Sequence, residues 1–201
     1  MLNVFKIIKN TQVEGPGKRF CIWVQGCNKH CAGCFAKDTW EFGAGQDYEV
    51  SDLIEMIKSE KNIEGVTFLG GEPFEQANEL SKLSRIIKSL ELSVVCFTGY
   101  SYEELQAKHD TDVDEFIKNI DLLIDGGFEV DKFDLSRPWV GSSNQRYIFL
   151  TDFYSQKDID KCKNKIEARI SPDGKLEING MGDFEQIKKN FCLQLGKNNV
   201  K

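Results

Sequence analysis

The chain has no apolar run near the roughly 20 residues that a membrane-spanning helix needs, so no membrane protein of the helical kind is expected. It has no excess of positive charge either. Its 26 lysines and arginines stand against 32 aspartates and glutamates, for a net charge of −6. Direct nucleic-acid binding is not expected of an acidic chain. The opening MLNVFKIIKN is too short and too interrupted by lysine for a secretion signal, which makes a cytoplasmic protein the expectation. Without such a signal, an odd count of 7 cysteines does not read as a disulfide framework. A fourth clustered cysteine is also missing. QGCNKHCAGCF sets Cys27, Cys31 and Cys34 within eight residues, and no fourth follows at matching spacing.

What is present is ordinary globular material, 40% hydrophobic and 29% charged. A length of 201 residues suits one domain with a real core and is short for two full ones. Segments of strand and helix character alternate. RFCIWVQ, GVTFLGG, LSVVCFTGY, IDLLIDGGF and RYIFLTDF read as strands. VSDLIEMIKSE, NELSKLSRIIKSL and YEELQAKH read as helices, the first with Ser51 as its N-cap. The alternation predicts an α/β fold with a mostly parallel sheet and helices packed outside it. Past residue 155 the pattern changes. KIEARISPDGKLEING reads as a hairpin about Pro172-Asp173-Gly174, with Ile166, Ile170, Leu176 and Ile178 alternating. DFEQIKKNFCLQL reads as a terminal helix. The expected division is a main domain over 1–155 and a packed hairpin-plus-helix extension over 156–201.

The residues with chemical character follow the predicted strands: the three cysteines after the first, Gly70 to Pro73 after the second, Thr98 to Tyr100 after the third, Asp125 and Gly126 after the fourth. Parallel sheets place ligand sites at the carboxyl ends of their strands, so these motifs are expected to share one site.

Three readings of the cysteine cluster stand side by side. A structural zinc site wants four protein ligands, and His30 adjoins Cys31 too closely for both to reach one ion without strain. A disulfide with a spare thiol conflicts with a reducing compartment. An iron–sulfur cluster takes thiolates as its standard ligands, and a four-iron cluster on three cysteines leaves one iron for another molecule. Cys21 and Cys96 read as small core residues. Cys162 and Cys192 stand singly and cannot complete a second cluster.

Cys-x3-Cys-x2-Cys resembles the signature of the radical S-adenosylmethionine (radical SAM) family. The resemblance narrows with GPGKRFCIWVQGCNKHCAGCFAKDTW, FTGYSYEEL, LLIDGGF and GSSNQR, in order over about residues 10 to 150. Together they are similar to the activating protein family of anaerobic (class III) ribonucleotide reductase. Three departures are visible: Ala36 follows Phe35 where that family often has asparagine, Val140 precedes GSSNQ where it often has arginine, and the stretch from about residue 151 exceeds the shortest family members.

The resemblance implies a partial (β/α) barrel, with a 4Fe-4S cluster on Cys27, Cys31 and Cys34. It implies that Gly70, Gly71, Glu72 and Pro73 help bind S-adenosylmethionine (SAM). Thr98 and Asp125 are further cofactor candidates by their position at strand ends. No general base is required, and no catalytic residue is expected beyond the cluster and SAM. The implied reaction is reductive SAM cleavage to a 5′-deoxyadenosyl radical that installs a glycyl radical on a partner such as anaerobic ribonucleotide reductase. Flavodoxin or ferredoxin is the implied electron donor. The alternatives are a radical SAM enzyme acting on a peptide or small molecule, and an electron-transfer iron–sulfur module. The last has no use for GGEP and normally takes a fourth cysteine.

Overall fold

Every residue of Arg19–Val24 is buried. A strand so uniformly covered has a layer on each face, which is the environment of a parallel strand inside an α/β sheet. The computed structural model describes residues 1–182. Along the chain it has β1 (Leu2–Thr11), β2 (Arg19–Val24), β3 (Gln46–Tyr48), α1 (Val50–Ser59), β4 (Gly65–Gly70), α2 (Ala77–Ser89) and β5 (Ser93–Phe97). There follow α3 (Tyr102–Ala107), α4 (Thr111–Ile117), β6 (Leu122–Asp125), β7 (Arg146–Phe149), α5 (Gln156–Ile159), β8 (Ile166–Ile170) and β9 (Leu176–Gly180). No helix among the described residues is long and apolar enough to cross a membrane.

Seven strands form one sheet in the order β3-β1-β2-β4-β5-β6-β7. The four central strands, β2, β4, β5 and β6, run parallel. The edges are antiparallel: β1 on β2, β3 on β1, and β7 on β6. The mostly parallel sheet of the sequence reading is present, flanked by antiparallel strands.

Alternation within β2 divides the core. Phe20, Ile22 and Val24 point to the helical side, where Phe68, Leu80, Leu83, Ile87 and Phe116 are fully buried. Cys21 and Trp23 point to the opposite face with Ile8 and Leu69. Val95, Leu122 and Ile124 pack there on Trp139, Tyr154 and Ile159. Truncating one of the buried phenylalanines to alanine removes transfer energy and leaves a cavity, typically about 3–5 kcal/mol. Cys96 sits fully buried in the main core, and the six described cysteines are free thiols.

Arg19 opens β2 with no exposed surface. Its guanidinium donates from Nε to Thr67 Oγ1 (2.6 Å), from Nη2 to Val66 O (2.6 Å) and Ser93 O (3.1 Å), and from Nη1 to Tyr154 OH (2.9 Å). A Cβ at Gly15 would come within 2.8 Å of the Arg19 side chain, and Gly15 has φ +128°. The glycines before the basic residue let the chain wrap around that side chain.

Three differences from the sequence reading concern the two ends of the described chain and the start of α1. The opening residues, considered only as a signal, belong largely to the long strand β1, with Leu2, Val4, Ile8 and Thr11 buried, Lys9 exposed and Lys6 half-buried over the Trp23 ring. Ser51 does not cap α1. Val50 packs against the core and begins the helix, so the cap position falls on Glu49 in an extended conformation. The hairpin of β8 and β9 forms, but not around an apolar face. Ile170 is 74% and Leu176 45% exposed, while Asn179 is 7% exposed. The predicted terminal helix and Cys192 lie outside the described residues.

Polar contacts hold the hairpin to β1 and the loop after it. Glu167 accepts from Thr11 Oγ1 at 2.8 Å and from Gln12 N at 2.9 Å. Arg169 donates to Asn10 O at 2.9 Å. Glu14 Oε1 accepts from Asn179 Nδ2 at 3.1 Å and Gly180 N at 2.8 Å. Burial pushes the Glu14 carboxyl from 4.5 up to about 7, against the pull of those donors. A carboxyl whose folded pKa exceeds its unfolded one favours the fold fully below the unfolded value and loses that contribution through the folded value. The Glu14 contribution is therefore full below about pH 4.5 and gone above about pH 7. Urea unfolding midpoints of the native chain and of Glu14→Gln, taken across this window, check it. Glu14→Gln should remove a few kcal/mol of pH dependence, since each tenfold change in proton affinity is worth about 1.4 kcal/mol. An unchanged profile would show that Glu14 does not titrate there.

Candidate active site

The carboxyl ends of the four parallel strands open onto one cavity of about 130 Å³. Cys27, Cys31 and Cys34 line it from the loop after β2, Gly70, Gly71 and Glu72 from the end of β4, and Thr98 and Gly99 from the end of β5. Gly126 and Phe128 line it from the segment after β6. Motifs separated by up to a hundred residues of chain thus meet, because parallel pairing brings every strand end to the same edge.

The cysteine loop closes on itself before it reaches the cavity. Gly26 N donates to Thr39 O at 2.8 Å, and Cys27 N to Trp40 O at 3.1 Å. Gln25 Nε2 donates to Glu41 O at 2.7 Å. His30, with φ +44°, stacks on Trp40 at 4.6 Å between ring centroids. Burial pushes the Cys27 thiol up, and amide donation from Lys29 and His30 pulls it down. Cys34 Sγ accepts from Ala36 N at 3.3 Å.

The GGE segment is built against this loop. Gly71 N donates to Val24 O at 2.9 Å and Glu72 N to Gly26 O at 2.8 Å. A Cβ at Gly71 would stand 2.3 Å from Gly26 O, so no side chain fits there. The paired glycines are required by this approach of two backbones, not only by the turn. Gly70 also has φ +108°.

Glu72 is 1% exposed, and its carboxylate turns inward. Oε1 accepts from Thr98 Oγ1 at 2.8 Å and Phe74 N at 3.0 Å, and Oε2 accepts from Gly99 N at 2.7 Å. It therefore ties the end of β4 to the end of β5. Burial pushes this carboxyl up to about 7, opposed by the three donors. Thr98 directs its hydroxyl at Glu72 and accepts from Tyr100 N at 3.1 Å.

Pro73 and Asp125 do not line the cavity. Pro73 starts a short 3-10 turn over Pro73–Gln76. Asp125 is fully buried, accepting from Tyr102 N at 2.8 Å and from Arg146 Nε at 3.0 Å. Gly126, the next residue, reaches the cavity in its place. The sequence reading passed over Lys29, Phe97, Phe128 and Gln145, which also line it. Gln145 lies within GSSNQR. It donates to Gly126 O at 3.1 Å and accepts from Gly141 N at 2.7 Å, so this motif props the end of β6. Phe128 follows the quoted glycines of LLIDGGF, which was a usable signal; nothing marked Lys29.

Among the described residues, no three His, Cys, Asp or Glu side chains are grouped to hold a single metal ion. A cluster takes each thiolate on a different iron, and a donor set of sulfur alone, with amides aimed at the sulfurs, is chemically suited to it.

The chain matches the family described as 4Fe-4S single cluster domain over residues 13–148. It is 35% identical over 142 residues to the anaerobic ribonucleoside-triphosphate reductase-activating protein of Pasteurella multocida (strain Pm70), covering 66% of this chain and 88% of that one. The protein of the same name from Enterobacteria phage T4 is 32% identical over 157 residues, covering 75% and 96%. Among solved structures, QueE from Escherichia coli covers 49% of this chain and 52% of its own at a TM-score of 0.41 and 22% identity. A likeness that slight carries no argument.

Glu72→Ala should destabilise the chain by about 2–4 kcal/mol, because two buried donors and one half-buried donor lose their acceptor. Hydrogen exchange at the Gly99 amide should quicken more than at Leu83 in α2. Equal quickening at both would show global loosening and no special tie between β4 and β5.

Proposed function

Because this chain belongs to the family of anaerobic ribonucleoside-triphosphate reductase-activating proteins and carries its 4Fe-4S single cluster domain, we propose that it is a radical SAM enzyme that installs a glycyl radical on such a reductase. One observation carries the reading: the three cysteines and the GGE backbone, remote in sequence, line the same cavity at the strand ends. Cys27, Cys31 and Cys34 would hold the cluster, with SAM beside them in the same cavity. When bound, the cluster would supply the one electron for reductive cleavage of SAM, the chemistry that leads to a glycyl radical on the partner.

The chain's own part is to bind, orient and shield. Gly70 and Gly71 present backbone acceptors to the SAM ammonium, at a place where a side chain would block the approach. Glu72 acts as a positioning residue, since its carboxylate is spent on Thr98 and Gly99. Pro73 fixes the turn that follows. Thr98 contributes from the wall of the cavity. Asp125, held by Arg146, places Gly126. Phe97, Phe128 and Trp40 line the cavity with apolar surface that excludes water.

The reading extends to finer points. The parallel strands form the partial (β/α) barrel of radical SAM enzymes, with a main domain over 1–155 and an extension over 156–201. A reduced flavodoxin or ferredoxin supplies the electron, and the protein works in the cytoplasm. A second reading, modification of a peptide or small molecule, draws on Ala36, Val140 and the stretch after residue 148 that the family match leaves out.

Anaerobic reconstitution should give close to four irons per chain. With SAM, a reductant and anaerobic ribonucleoside-triphosphate reductase, electron paramagnetic resonance should then show a glycyl radical on the reductase. Alanine at Cys27, Cys31 or Cys34 should reduce both SAM cleavage and the radical to background, while Cys96→Ala and Cys162→Ala retain them. SAM cleavage at full rate without a radical on the reductase would favour the second reading. Loss of the cluster in Cys162→Ala would contradict the three-ligand assignment.

A further inference from the structure

A second cavity, of about 410 Å³, lies at the opposite end of the sheet. Gly15, Gly17 and Lys18 line it just ahead of β2, and Lys161, Lys163 and Lys165 line it from the segment leading into β8. Every charged residue of its lining is a lysine, on a chain whose net charge is −6. Lys161 pairs with Asp158 at 2.9 Å; Lys18, Lys163 and Lys165 make no ion pair among the described residues. One acid borders the cavity: Glu64 lies against Gly17, with Oε1 accepting from Tyr154 OH at 2.7 Å. Glu167 accepts from Thr11 and Gln12. Ammonium groups gathered around one concavity repel each other, a cost that an open face would avoid.

The backbone that carries three of these lysines is held in place. Residues 161, 163 and 165 are exposed while Cys162 and Asn164 between them are half-buried, so one side of the segment carries all three charges. Asn164 Oδ1 accepts from Trp139 N at 2.9 Å, and Asn164 Nδ2 donates to Leu135 O at 2.8 Å and Arg137 O at 3.0 Å. Trp139 forms part of the cavity wall with φ +60°, a rare conformation for a bulky residue. Such strain persists only where the surroundings enforce it, and it gathers at ligand clamps.

We propose that this cavity binds a small anion carrying several phosphate groups, either a free polyphosphate or the phosphate tail of a nucleotide. Lysine ammonium groups bind phosphate as point charges, and the cavity is in the size range of small-molecule sites. The proposal does not depend on the cluster or on the reductase.

Calorimetry on the reconstituted full chain tests it, with inorganic tripolyphosphate in one arm, a nucleoside triphosphate in a second, and sulfate at matched ionic strength as control. The expected result is saturable binding at one site, weakened at least tenfold in Lys163→Gln/Lys165→Gln and unchanged in Lys58→Gln/Lys118→Gln. A nucleoside triphosphate at least tenfold tighter than tripolyphosphate identifies a nucleotide site; equal affinities identify a polyphosphate site. Both outcomes require the loss in the Lys163/Lys165 variant, since a nucleotide bound in the cluster cavity would not respond to it. No saturable binding at millimolar concentration, equal binding of sulfate, or native affinity in that variant overturns the proposal.

Discussion

The structure depends on the parallel pairing of β2 with β4, which sets Val24 opposite Gly70. From that register the two chains continue side by side, with Gly71 N on Val24 O and Glu72 N on Gly26 O. The cysteine loop and the glycine segment are therefore fixed to each other by main-chain bonds before any side chain takes part. A shift of one residue would turn every side chain of β2 to the opposite face, exchanging Phe20, Ile22 and Val24 with Cys21 and Trp23. Core packing and site geometry are thus set by the same register.

Glu72 carries this arrangement to the third strand. A buried carboxylate accepting three hydrogen bonds is stabilised as an acceptor and disfavoured as a charge, and burial is the larger effect on its pKa. Its contribution is to fix Thr98 and Gly99 beside the cysteines. Asp125 with Arg146, and Gln145 with Gly126, do the same for the fourth strand. The cavity edge is thus laced from β2 to β6 by groups that need not touch a substrate.

Much of this was legible in the sequence. The buried strands β2, β4 and β5 are continuous runs of β-branched and aromatic residues ending in glycine or a polar turn, and α2 repeats its apolar residues at helical spacing. β1 was not legible because its lysines interrupt the apolar pattern, although Lys9 is exposed and Lys6 lays its chain over Trp23. α4 was missed because seven residues rich in acid give too short a period. The hairpin was found, but its apolar alternation misled, since hydrogen bonds to Glu14 and Thr11 decide which side faces the body. Three cysteines with GGEP marked the site. That Glu72 turns inward, and that Gly126 and not Asp125 faces the cavity, depends on tertiary partners that no local pattern encodes.

The two ends of the parallel strands differ in character. The carboxyl end has sulfur, glycine and aromatic groups; the amino end has Arg19 buried among neutral acceptors and lysines around a second cavity. The central claim concerns the carboxyl end, that Cys27, Cys31 and Cys34 leave one iron of a cluster open to SAM beside the glycine segment. Its most direct test is the electron paramagnetic resonance spectrum of the reduced, reconstituted chain with and without SAM labelled with nitrogen-15 in its amino group. The account predicts a changed cluster spectrum and a hyperfine coupling to the labelled nitrogen. An unchanged spectrum with no such coupling at saturating SAM would contradict it.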